Sequence, residues 1–119
     1  MNEQVRILVV DDDEPGRQVM ELLLKKAGFA TVSAASGADG VALVRDGQAD
    51  LVLLDLFLPD RNGIEILREM RRVAPQQEVV VIIGHASAES AVLAMKEGAF
   101  DYITKPVNFE ELKLVIAKA

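Results

Sequence analysis

The chain alternates between short apolar runs and longer segments in which apolar residues recur every three or four positions. Val5–Val10 (VRILVV), Ala30–Ala34, Leu51–Asp55, Val79–Ile83 and Phe100–Thr104 are brief, rich in β-branched residues and bounded by Gly, Asp, Pro or Lys. They read as strands. The intervening segments read as helices. Val19, Leu22, Leu23 and Lys26 keep the i, i+3, i+4, i+7 spacing of one helix face, with Pro15 near its start and Gly28 just beyond its end. Ser36 can cap a second helix, Ile64, Leu67 and Met70 stripe a third, and Gly98 stops a fourth. Asn108 with Glu111 three residues on predicts a capping box for a fifth. Asn62 and Gly63 are assigned to loop geometry alone.

Strict alternation of strand and helix requires crossover connections and therefore a parallel sheet covered on both faces. The uninterrupted runs LVLL and VVVII agree, because a central parallel strand is buried on both sides. Five such units fall short of a closed barrel and predict an open, doubly wound α/β sheet. With 119 residues, half of them apolar, the chain fits one domain with a core over about residues 5–118. No repeat, linker or low-complexity stretch divides it.

Charge and composition then narrow the function. The net charge of −6 opposes direct nucleic acid binding, and the short Arg71-Arg72 pair is no basic patch. There is no cysteine, hence no disulfide or thiolate metal site, and no apolar run approaches the roughly 20 residues that span a bilayer. The opening MNEQVR lacks the features of a secretory signal. A cytoplasmic protein that does not engage membranes is expected.

One residue resists the pattern. Asp55 sits inside the apolar run LVLLDLFLP, and burying an unpaired carboxylate costs several kcal/mol or more. In open α/β sheets, ligands gather at the carboxyl ends of the strands. At those ends stand Asp11-Asp12-Asp13, Asp55, Ile83-Gly84-His85 and Lys105-Pro106. Clustered carboxylates need a proton or a cation between them, and an all-oxygen set points to a hard cation such as Mg²⁺. Lys105 supplies a compact positive charge suited to a phosphoryl oxygen. Asp13 reads as a helix cap rather than a ligand, and His85, the only histidine, as a loop residue.

The stretches ILVVDDDEPGR, DLVLLDLFLPDRNGIEIL and GAFDYITKP, in this order and spacing, resemble the receiver domain of two-component response regulators. The resemblance implies a flavodoxin-like (CheY-like) sheet of order 2-1-3-4-5 and a role in phosphorelay signal transduction. By the same resemblance Asp55 is the phosphoacceptor, Asp12 a direct Mg²⁺ ligand, Asp11 a ligand acting largely through water, and the Phe57 carbonyl a third protein ligand. Lys105 is the phosphate-binding lysine, joined to Pro106 by a cis bond, and Tyr102 the aromatic residue that turns inward on activation. Phe57 and His85 flank the path of water to the phosphoryl group. The implied partners are a sensor histidine kinase, an output domain or downstream protein, and a second copy through the fourth helix, fifth strand and fifth helix. The domain would catalyse only its own phosphorylation and dephosphorylation and would not be an enzyme acting on other molecules.

One position departs from the pattern. Ile83 stands where the family places a Ser or Thr, and isoleucine cannot hydrogen-bond a phosphoryl oxygen. Either that contact is absent or Ser87 substitutes for it. An alternative function follows, a receiver-like interaction module with weak or absent switching. A haloacid dehalogenase-type phosphatase would need an acid where Phe57 stands, and a flavodoxin would not place acids in the loop that meets a flavin phosphate.

Overall fold

The computed structural model describes residues 4–56, 62–84 and 88–119. Among these residues five strands and five helices alternate: β1 (Arg6–Val10), α1 (Glu14–Lys26), β2 (Ala30–Ala34), α2 (Gly37–Arg45), β3 (Leu51–Asp55), α3 (Gly63–Val73), β4 (Glu78–Ile83), α4 (Ala88–Lys96), β5 (Asp101–Thr104) and α5 (Phe109–Lys118). The strands form one parallel sheet in the order β2-β1-β3-β4-β5, as the resemblance implies. Three strand starts differ by one residue from the sequence reading, at Arg6, Glu78 and Asp101.

Period-two alternation sends neighbouring residues of each central strand to opposite faces. Leu8, Val10, Val52, Leu54, Val81 and Ile83 pack against α2, α3 and α4, including the predicted stripe Ile64, Leu67 and Met70. Ile7, Val9, Leu51, Leu53, Ile82 and Ile103 meet Leu24 of α1 and Leu112, Val115 and Ile116 of α5. The result is three layers, and the buried central strands offer their ends for polar chemistry.

Caps set where the helices begin. Asp13, Ser36, Asn62 and Asn108 each accept a backbone N–H from the following turn, satisfying donors that have no partner within the helix. Gly28 and Gly98 follow α1 and α4 at φ of 98° and 97°, a region that side chains other than glycine's disfavour. Two readings are corrected. The Asn108 capping box is half-formed: its Oδ1 accepts from Glu111 N at 3.1 Å, without a return bond from the Glu111 carboxylate. Asn62 and Gly63 belong to α3 as its cap and first residue, and a Cβ on Gly63 would lie 2.4 Å from the Leu56 Cα. That glycine is dictated by contact with the end of β3, not by a turn.

Candidate phosphoacceptor and cation site

The carboxyl ends of β1 and β3 bring three aspartates together. Asp55, the last residue of β3, is 4% exposed and registers with Ile82 of the neighbouring strand. Lys105, just past β5, reaches back across β4 to place Nζ 2.9 Å from Asp55 Oδ2. Its backbone N–H bonds to the Ile83 carbonyl at 2.9 Å, which fixes the stem from which the ammonium extends. The Lys105–Pro106 peptide is cis, as expected.

The other two acids follow β1. Asp11 continues the ladder by donating its N–H to the Ala34 carbonyl at 3.1 Å, and its Oδ1 accepts from Asp13 N at 2.9 Å. Asp12 is exposed. Asp11, Asp12 and Asp55 each offer a carboxylate oxygen within 4.8 Å of the others. Asp13 is outside this group. Its Oδ2 accepts from Gly16 N at 3.2 Å, so it caps α1 as the sequence indicates.

Burial and neighbouring charge both act on the titratable groups of the site. Burial raises the Asp11 pKa, opposed by the Asp13 N–H and reinforced by the charge of Asp55. Burial works to lower the Lys105 pKa, but the hydrogen bond and charge of Asp55 outweigh it and the net shift is upward. Three oxygen donors at this spacing could hold a small divalent cation. An open groove of about 450 Å³ leads to Asp11 and Lys105 between Pro15, Val19 and Leu23 of α1 and Phe109 of α5.

A sequence model of the response regulator receiver domain matches residues 7–117. The chain belongs to that family. Among relatives of this receiver domain, the transcriptional regulatory protein ZraR of Klebsiella oxytoca is 38% identical over 98% of the chain, and the regulatory protein AtoC of Escherichia coli is 37% identical over 96%. The chain spans about a quarter of the length of these curated relatives, 26% and 25%. A CheY-like receiver domain protein from Methanospirillum hungatei superposes with a TM-score of 0.92 at 33% identity, covering 98% of this chain and 93% of that one. A response regulator from Burkholderia pseudomallei, solved with a phosphorylated aspartic acid, a calcium ion and citrate, superposes at 0.87 with 27% identity, covering 94% of this chain and 66% of that one.

The remaining candidates divide. Phe57, His85 and Ser87 lie outside the described residues. Ile83 is fully buried at the end of β4, on the sheet face that packs α3 and α4. Tyr102 registers with Val81 on that same face but is 41% exposed, lying beside Ala91, Val92 and Met95 of α4. Sequence reasoning assigned no role to Arg17, whose Nη1 donates to the Asp11 carbonyl at 2.8 Å. One signal was present: Arg17 is the fourth residue of α1, where the helix dipole disfavours a cation.

Proposed function

We propose that this receiver domain accepts a phosphoryl group on Asp55 and uses the resulting change of charge to alter its α4, β5 and α5 surface. The observation that carries this reading is the joining of a buried, strand-end carboxylate to Lys105 at 2.9 Å within a three-carboxylate cluster. In the transfer, an Asp55 oxygen attacks phosphorus while the bond to the donor, an imidazole nitrogen of a sensor kinase histidine, breaks. The nitrogen keeps the electron pair. Lys105 would follow a phosphoryl oxygen, and Asp11, Asp12 and Asp55, with the Phe57 carbonyl by resemblance, would hold Mg²⁺. When bound, Mg²⁺ supplies neutralisation of charge on the transferring group. The groove beside α1 gives a donor side chain a route to the site from solvent.

With Mg²⁺ and Lys105 balancing three carboxylates the site would be neutral, and phosphorylation would take Asp55 from −1 to about −2. The surplus charge can bias a two-state element nearby. Exposed Val92, Leu93 and Met95 of α4 lie beside Tyr102 of β5, and Leu114 is exposed on α5, apolar side chains suited to a second copy or an output partner. A second reading, an interaction module that switches weakly, is favoured by Ile83, whose buried alkyl group offers the phosphate no donor. None of the described helices is long and apolar enough to cross a membrane.

Mg²⁺ titration followed by amide chemical shifts tests the site. Shifts concentrated at residues 11–13, 55–57 and 105 are expected. A response confined to the outward faces of the helices would overturn the assignment.

A further inference from the structure

We infer that Arg17 is a positioning residue for the cation site, acting through the backbone of Asp11. This rests on the proposed metal-binding reading and adds to it a residue outside the ligand set. The Asp11 carbonyl lies where β1 gives way to the turn before α1, and the half-buried Arg17 guanidinium donates to it at 2.8 Å. Asp11 is thereby held at three points: its N–H by the Ala34 carbonyl, its carbonyl by Arg17, and its Oδ1 by the Asp13 N–H. The first fixes where the strand ends and the second the plane of the following peptide. The third ties one carboxylate oxygen and so limits how the other can turn toward Asp12 and Asp55. Releasing the carbonyl frees the peptide that leads into Asp12, so both ligands lose their aim together.

One further observation sets Arg17 apart from an ordinary surface cation. It occupies the fourth position of α1, whose dipole disfavours positive charge there, so its placement needs another reason.

The two routes predict opposite signs, which makes the test decisive. A positive charge beside a cation site repels Mg²⁺, so if Arg17 were only a charge its removal would tighten binding. If Arg17 aims the ligands, its removal weakens binding by about three- to tenfold, the range expected for losing one hydrogen bond. The experiment measures Mg²⁺ dissociation constants by calorimetry for wild type, Arg17→Met and Arg17→Lys, with thermal denaturation in parallel. Met keeps the apolar stem without donor or charge, and Lys keeps both a donor and the charge. Weaker binding in Arg17→Met, recovered at least in part by Arg17→Lys, with the Asp13 amide resonance displaced in the metal-free Met variant, is the expected result. Tighter binding, or a loss of thermal stability with the Mg²⁺ affinity unchanged, overturns the inference while leaving the site assignment standing. Failure of wild type itself to bind Mg²⁺ overturns both.

Discussion

Replacing Ile83 separates the phosphate chemistry of this domain from its switching. Ile83 is fully buried at the carboxyl end of β4, between the strand that carries Asp55 and the one that leads to Lys105. Ile83→Val removes one methyl group and costs about 0.5–1.5 kcal/mol. Ile83→Thr has the same shape as Val but buries a hydroxyl, adding about 1–3 kcal/mol where no partner meets it. For a domain of this size 1 kcal/mol moves the melting temperature by about 4 °C, so metal-free Thr should melt about 4–12 °C below Val. Beryllofluoride with Mg²⁺, a mimic of the phosphoryl group, changes the comparison. The Thr hydroxyl then gains a charge-assisted hydrogen bond worth about 1.5–3 kcal/mol, which Val and the native Ile cannot make. A ligand shifts an equilibrium only by its differential affinity for the two states, so this bond also drives the switch. Differential scanning fluorimetry of wild type, Val and Thr, each with and without the mimic, reads both effects. The gap between Val and Thr should narrow or close on adding the mimic. A gap that stays constant would show that position 83 does not face the phosphoryl group, and the reasoning would fail.

Gly63→Ala should destabilise the domain by about 3 kcal/mol or more, because its Cβ would meet Leu56 backbone atoms at 2.4–2.7 Å and neither segment can yield without moving the residue after Asp55. Gly28→Ala, with open space but a φ of 98°, should cost only about 1–2 kcal/mol; chemical denaturation that ranks the two in reverse order would contradict the packing argument. At the opposite end of the sheet, the Arg6 backbone N–H and then its side chain hold the Asp50 pKa below 3.8. That contribution is present above the unfolded pKa of 3.8 and is lost as pH falls through the lowered folded value. Asp50→Asn should therefore flatten the acid limb of the stability profile and cost under about 1 kcal/mol at neutral pH, since the pair is half exposed; an unchanged acid limb in the variant would count against it.

Much of this molecule is legible in its sequence because the signals are local. The apolar runs of β3 and β4 announce buried parallel strands, and Ser36 and Asn108 stand where helix donors need acceptors. Once the sheet is parallel, its strand ends collect Asp11, Asp12, Asp55 and Lys105 without further assumption. What escaped depends on approach between distant segments. Gly63 looks like a turn residue until β3 is seen to pass under it, and Asp50 looks like a loop acid until Arg6 meets it across the sheet. Arg17 escaped because its partner is a carbonyl, and a backbone acceptor carries no residue-type signature. The Asn108 capping box was over-read, since the spacing permits the return bond from Glu111 without requiring it.

The central claim is that Asp55 is a phosphoacceptor served by a cation. Incubating wild type and Asp55→Asn with acetyl phosphate, with and without Mg²⁺, and measuring intact mass tests it most directly. Wild type should gain the mass of one phosphoryl group only when Mg²⁺ is present, and the label should disappear in Asp55→Asn while the variant keeps its fold by circular dichroism. Undiminished labelling of Asp55→Asn, or labelling of wild type indifferent to Mg²⁺, would contradict the account.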